Sequence, residues 1–163
     1  MHTQPSLRKA VPLDAKAIRE LINGYAEQGL MLPRSLSALY DTIRNFWVME
    51  RDGKLLGCAA LNICWEDMAE IRSLAVAETA QGQGLGRILV EQCLEESRDY
   101  RIPKVFTLTY VKDFFLKLGF REVDKNLLPH KIWKDCLNCP HFPDCREIAM
   151  LHELNEPRPG TDG

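Results

Sequence analysis

Leu74-Ala75-Val76, then Gln81-Gly82-Gln83-Gly84-Leu85-Gly86, then the spaced apolar residues Ile88, Leu89, Cys93 and Leu94 read as a strand, a glycine loop and an amphipathic helix. A helix start leaves free N–H groups and the positive end of the helix dipole, and both attract phosphate. Glycines at 82, 84 and 86 remove every second side chain, so those amides can approach a pyrophosphate directly. The spacing excludes two familiar phosphate loops. A dinucleotide fingerprint needs G-x-G-x-x-G, and a triphosphate loop needs a Gly-Lys-Ser/Thr that is absent.

Upstream, Val11 to Tyr25 opens with Pro12 and Asp14 and carries a helical stripe of Ile18, Leu21, Ile22 and Tyr25. Gly24 and Gly29 weaken and stop that helix. A second helix follows Pro33, with Ser35 as N-cap and Leu36, Leu39, Tyr40 and Ile43 on one face. The period then changes to that of strands. Phe46–Met49 turns at Asp52-Gly53 into Lys54–Trp65, which is long enough to need a bend or bulge at Gly57. Ala69–Val76 is a third antiparallel strand. Downstream, Pro103 closes the helical crossover, so Val105–Thr109 is expected to be a parallel strand. A short helix over Val111–Leu118 ends at Gly119, and strands over Phe120–Val123 and Ile148–Leu151 follow. The order ααβββαβαββ predicts a mixed α/β sheet fold. Residues 1–154 are expected to form a single domain, with a cysteine-rich loop at 135–145 and a flexible tail at 155–163.

The 163 residues are 45% hydrophobic and 27% charged, enough to bury a core. With 21 basic and 23 acidic residues the net charge is −2, which offers no field for nucleic acid. No run reaches the roughly 18 apolar residues of a membrane span, and Met1–Ala10 lacks the apolar block of a secretion signal. A soluble, cytoplasmic protein is expected. Cys58, Cys64 and Cys93 read as small buried hydrophobes. Cys136, Cys139 and Cys145 form C-x2-C-x5-C, which with His141 or His130 could hold zinc; a disulfide or reduced loop thiols are the alternatives, and no metal is assigned. His2 and His152 read as solvent-facing or terminal.

The loop resembles the Q/R-x-x-G-x-G/A signature of the GNAT superfamily of acetyltransferases, matched by Gln81, Gly84 and Gly86. The element order follows that superfamily over residues 7 to 152, and Phe114-Phe115-Leu116-Lys117-Leu118-Gly119-Phe120 resembles its later F-Y-x-x-x-G-F. The resemblance implies a GNAT-like acyl-CoA N-acyltransferase fold and acetyl-CoA as co-substrate. Leu74, Ala75 and Val76 would pair with the pantetheine arm. Gln81, Gly82, Gln83, Gly84, Leu85 and Gly86 would hold the pyrophosphate, and Phe115 would flank the acyl-CoA.

Acetyl transfer to an amine needs a base to take the ammonium proton and a donor for the developing oxyanion. Glu70 is the candidate base, and the period of two places side chains 70, 72, 74 and 76 on one strand face. By resemblance the oxyanion donor is the N–H of Leu74. Arg72 either pairs with Glu70, which would lower its basicity, or faces a substrate carboxylate. Phe115 stands where many members carry a proton-donating tyrosine, leaving Thr109 and Tyr110 as nearby hydroxyls.

The resemblance extends to the acetyltransferase domain of bacterial N-acetylglutamate synthases. It is carried by Glu27-Gln28-Gly29-Leu30, Arg34-Ser35, Ala69-Glu70-Ile71, and Val123-Asp124 with Leu127-Leu128-Pro129. It implies that Arg34, at the start of the second helix beside Ser35, binds a substrate carboxylate, a role suited to its planar fork of donors. It also implies that Glu70 is the base and that Thr109 assists. With no amino-acid-kinase domain in these residues, the likeness is to the short stand-alone form. The expected activity is acetylation of the α-amino group of a small acidic amino acid, glutamate, as the first step toward arginine. Glutamine, another small amine or a protein N-terminus is the alternative acceptor, and an acetyl-CoA-binding sensor without turnover is the alternative class. A homodimer is expected from base rates alone.

Overall fold

Residues 4–128 and 147–154 are described by the structure, a computed structural model. Cys136, Cys139, Cys145, His2, His130, His141 and the tail at 155–163 lie outside them. Seven strands form one mixed sheet in the order β1-β2-β3-β4-β5-β7-β6. They are β1 (Ser6–Lys9), β2 (Phe46–Arg51), β3 (Lys54–Trp65), β4 (Met68–Val76), β5 (Lys104–Thr109), β6 (Arg121–Val123) and β7 (Ile148–Glu153). The helices are α1 (Ala15–Ala26), α2 (Leu36–Thr42), α3 (Leu85–Asp99) and α4 (Lys112–Leu116). The chain packs as two units, residues 1–62 with 71–93, and residues 63–70 with 94–163.

In the first unit the expected stripe of α1 buries Ile18 and Ile22 completely, with Leu21 and Tyr25 packed alongside. Leu39, Phe46, Val48, Cys58 and Ala75 complete that core. Burying side chains of this size contributes about 1.5–3 kcal/mol each, so the periodicity is what holds α1 down. Ser35 caps α2 as expected, its Oγ accepting the Ala38 N–H at 3.1 Å. Tyr40, expected on the same face, is instead exposed. Asp52 (φ 53°) and Gly53 (φ 76°) make the left-handed pair of a tight hairpin. The register of β2 on β3 skips Leu56, beside the expected Gly57. Gly57 is needed for proximity: a Cβ there would lie 3.1 Å from Leu89 and 3.2 Å from the Ala75 carbonyl oxygen.

One strand was not expected from the sequence. β1 pairs antiparallel with β2, Leu7 opposite Met49, and is tied down by Arg8. The Arg8 guanidinium meets Asp14 at 2.8 and 2.9 Å and Glu50 at 3.0 Å. In α3 the buried residues are Leu85, Leu89, Val90, Cys93, Leu94 and Ser97, whereas Ile88, expected on that face, is exposed.

In the second unit β5 runs parallel to β4, as the crossover required, in a register that ends at Glu70 opposite Phe106. β7 pairs antiparallel with β5 along its length and with β6 on its other side. Phe106, Leu128, Ala149 and Leu151 form the core. Phe115 packs edge-on against Phe114 and Phe120, and Phe120 against His152, all with centroids 5.0–5.1 Å apart. His152 is therefore half-buried rather than solvent-facing, because its strand runs beneath this aromatic stack.

Candidate active site

In the first unit, the loop after β4 begins with a single 3-10 turn. Ala77 N–H donates to the Leu56 carbonyl at 2.8 Å, and Ala80 N–H to the Ala77 carbonyl at 2.8 Å. Gln81 follows, then Gly82 (φ 81°) and Gly84 (φ 79°), both left-handed and with nothing within 4 Å of where a Cβ would stand. Leu85 is buried and anchors the start of α3, a helix of 15 residues. The helix's bond back onto the loop is Ile88 N–H to the Gly84 carbonyl at 3.2 Å, so the amides before Ile88 point outward at the positive end of the helix. Gln83 is exposed and Gly86 half-buried. Open glycines and outward amides fit a phosphate-bearing group.

The Gln81 side chain does not hang free. Its Nε2 donates to the Tyr25 hydroxyl at 2.6 Å and, more weakly, toward the Val76 carbonyl at 3.4 Å, while the Tyr25 hydroxyl donates to that same carbonyl. The sequence reading placed Tyr25 in the core stripe alone. The available signal was chemical: a tyrosine packed on a core needs a partner for its hydroxyl.

β4 departs from its expected geometry at Ser73, which is left-handed (φ 57°) inside the strand. A left-handed residue there turns the adjoining peptide out of the regular ladder, so the period of two cannot be counted from 70 through to 74 and 76. Leu74 follows the turned residue directly. Its position suits an N–H that leaves the ladder, although no serine propensity announces it. Ala75 is buried, and Arg72, Leu74 and Val76 are half-buried. Cys58 Sγ donates to the Ser73 carbonyl at 3.3 Å, and burial pushes its thiol pKa up to about 12, which suits the inert core role expected of it. Cys93 is also buried, and Cys64 half-buried.

Arg34 is half-buried and precedes the N-cap Ser35. Its backbone N–H donates to Asn23 Oδ1 at 3.2 Å, so the last turns of α1 fix where the α1–α2 connection passes. Asn23 is a second residue that pattern reading missed. Ser35 Oγ is engaged as the α2 cap and keeps its own proton to donate.

In the second unit Glu70 is buried, 8% exposed, at the end of the β4–β5 register. Thr109, the last residue of β5, is also buried. Its Oγ1 accepts the Val111 N–H at 2.9 Å, turning the chain into α4 and leaving the hydroxyl hydrogen to donate. Phe115 is 2% exposed and enclosed by aromatic rings, so it supplies shape and no proton. Tyr110 is half-buried beside Thr109. The structure thus gathers Arg34, Ser35, Arg72, residues 74–76 and the loop 81–86 in one unit, and Glu70, Thr109 and Phe115 in the other. Among the described residues no three His, Cys, Asp or Glu side chains could share a metal ion, and no helix is long and apolar enough to cross a membrane.

Residues 16–120 match the model of the acetyltransferase (GNAT) family. An uncharacterized N-acetyltransferase of Chlorobaculum tepidum is 41% identical over 91% of this chain and 96% of its own length. An amino-acid acetyltransferase of Mycobacterium tuberculosis is 37% identical over 74% of this chain and 71% of its own. Among solved structures, N-acetylglutamate synthase from Neisseria gonorrhoeae, complexed with coenzyme A and N-acetyl-glutamate, superposes with a TM-score of 0.86 at 30% identity. That likeness covers 96% of this chain but only 36% of the synthase, so the chain spans about a third of its length.

Proposed function

The chain belongs to the acetyltransferase (GNAT) family and is an N-acetyltransferase, and from that premise we propose that it moves the acetyl group of acetyl-CoA onto the α-amino group of glutamate, opening arginine synthesis. The observation that carries the proposal is the likeness, across nearly the whole chain, to a synthase solved with coenzyme A and N-acetyl-glutamate. The half-buried Arg34, fixed through Asn23, supports it as an anchor for a carboxylate.

In this reading Glu70 takes one proton from the substrate ammonium. The freed nitrogen lone pair forms a bond to the thioester carbonyl carbon, the carbon–sulfur bond breaks, and nitrogen gives up its second proton, which reaches the departing sulfur through the Thr109 hydroxyl so that it leaves as the thiol. The Leu74 N–H, next to the turned peptide at Ser73, faces the charge that builds on the carbonyl oxygen. The Thr109 hydroxyl retains a hydrogen for the departing sulfur, a role Phe115 cannot fill. The backbone of 74–76 runs along the pantetheine arm, residues 81–86 take the diphosphate, and Phe115, enclosed by Phe114 and Phe120, backs the wall beside the acyl-CoA.

The test is release of free thiol from acetyl-CoA with a panel of glutamate, glutamine, other amino acids and a peptide N-terminus. Glutamate-dependent release is expected, with Glu70→Gln lowering kcat about 100-fold, the low end of general-base contributions. Release only with another amine would replace glutamate as the acceptor. Tight coenzyme A binding without release from any amine would make the chain a sensor and overturn the proposal.

A further inference from the structure

Tyr25 ends the apolar stripe of α1, with its ring packed beside the first unit's core. Its hydroxyl does something a core residue need not do: it joins the two ends of the coenzyme loop. It donates to the carbonyl of Val76, the last residue of β4, and accepts from Gln81 Nε2, five residues further on. The segment between is closed upon itself by the Ala80 and Gln81 N–H bonds to the Ala77 and Glu78 carbonyls, and the Ala77 N–H ties it to Leu56 on β3, so Gly82 starts from an origin set by these contacts. Gln81 is exposed, and an exposed glutamine otherwise samples many rotamers; here a residue 56 positions earlier fixes its direction. The same hydroxyl thereby ties the last carbonyl of β4 to the side chain that opens the glycine loop.

We infer that Tyr25 is a positioning residue for the coenzyme loop, acting through Gln81 and Val76 and setting affinity for the diphosphate-bearing co-substrate. The inference rests on the acetyl-CoA reading above. Because the Tyr25 hydroxyl acts on Val76 and Gln81, at the two ends of the loop, its loss should weaken coenzyme binding and leave the chemical step alone.

Tyr25→Phe keeps the packed ring and removes only the hydroxyl. Coenzyme A binding by calorimetry and steady-state kinetics with varied acetyl-CoA are the measurements, with the thermal midpoint followed in parallel. The dissociation constant and the acetyl-CoA KM are expected to rise about fivefold, the size of one lost hydrogen bond, with kcat within about twofold of wild type. Gln81→Ala should reproduce the effect, and the double variant should be no worse than either alone, because both changes break one linkage. Should Tyr25→Phe fail to fold, Tyr25→Leu, which keeps an apolar side chain beside the same core, carries the same KM-against-kcat test. Unchanged affinity in Tyr25→Phe, a fall in kcat alone, or strictly additive losses in the double variant would each overturn the inference while coenzyme A still binds the wild type. A wild type that does not bind coenzyme A would remove the acetyl-CoA reading and this inference with it.

Discussion

Two glycine-containing motifs, one in each unit, do opposite work. Gly82 and Gly84 are left-handed with empty space where a Cβ would stand. Gly119, in the Phe-Phe-Leu-Lys-Leu-Gly-Phe segment, is also left-handed (φ 94°), but a Cβ there would lie 3.0 Å from His152 Nε2. The first pair leaves open space, which the proposed function gives to the diphosphate. Gly119 makes room for something already present, the imidazole that packs edge-on against Phe120. Similar letters in a sequence therefore mark open space, proposed here as a binding surface, in one place and a packing constraint in the other.

Alanine at each kind of site separates the two. Gly119→Ala meets both the left-handed penalty, about 1–2 kcal/mol, and a crowded ring, for a total of roughly 2–3 kcal/mol. For a chain of this size the thermal midpoint should fall about 4–10 °C, measured by calorimetry. Gly84→Ala meets the backbone penalty alone, about 1 kcal/mol and roughly 2–4 °C, but under the proposed function it places a methyl in the path of the diphosphate. Its coenzyme A dissociation constant should rise about tenfold. If Gly84→Ala costs as much stability as Gly119→Ala and leaves coenzyme binding intact, the contrast between the two glycines collapses.

The same contrast explains what could be read in advance. Local signals worked where local physics decides: the Ser35 cap, the Asp52-Gly53 turn, the α1 stripe and the strand–loop–helix around residue 81 stand as expected. The candidate site was named from residue types at family spacing, and of these Glu70 and Thr109 are buried polar groups and Arg34 is half-buried, while their roles belong to the proposed function. What escaped depends on partners distant in the chain. β1 is four residues whose strand character comes from pairing with β2 and from the Arg8 contacts with Asp14 and Glu50. Tyr25 gains its polar role only when β4 and Gln81 reach it, and Asn23 only when the chain returns at Arg34. Ser73 takes a backbone conformation that its side chain does not favour, so the strand around it fixes the turn. His152 is sheltered by a phenylalanine 32 positions earlier.

The smallest expected effect is a difference in acid response between the two units. Burial, and secondarily the charge of Arg98 on α3, holds the His152 pKa below its ordinary value. The unfolded chain then binds a proton there at a higher pH than the folded chain does. The stability His152 contributes is complete above the unfolded value of about 6.5 and is lost as pH falls through the lower folded one. In the first unit, hydrogen bonds from Arg8 hold the Asp14 and Glu50 carboxyls below their usual range. By the same sign argument, their contribution stays whole until the pH enters the carboxylate range, below about 4.5, and then declines. Thermal midpoints taken from pH 7.5 to 5.5 should thus show a shallow slope that His152→Gln flattens and Arg8→Met leaves in place. Below about pH 4.5 the roles reverse, and Arg8→Met alone should change the curve. A slope between 7.5 and 5.5 that survives His152→Gln would mean the imidazole is as easily protonated in the folded chain as in the unfolded one, and that the aromatic stack beside Gly119 does not shelter it.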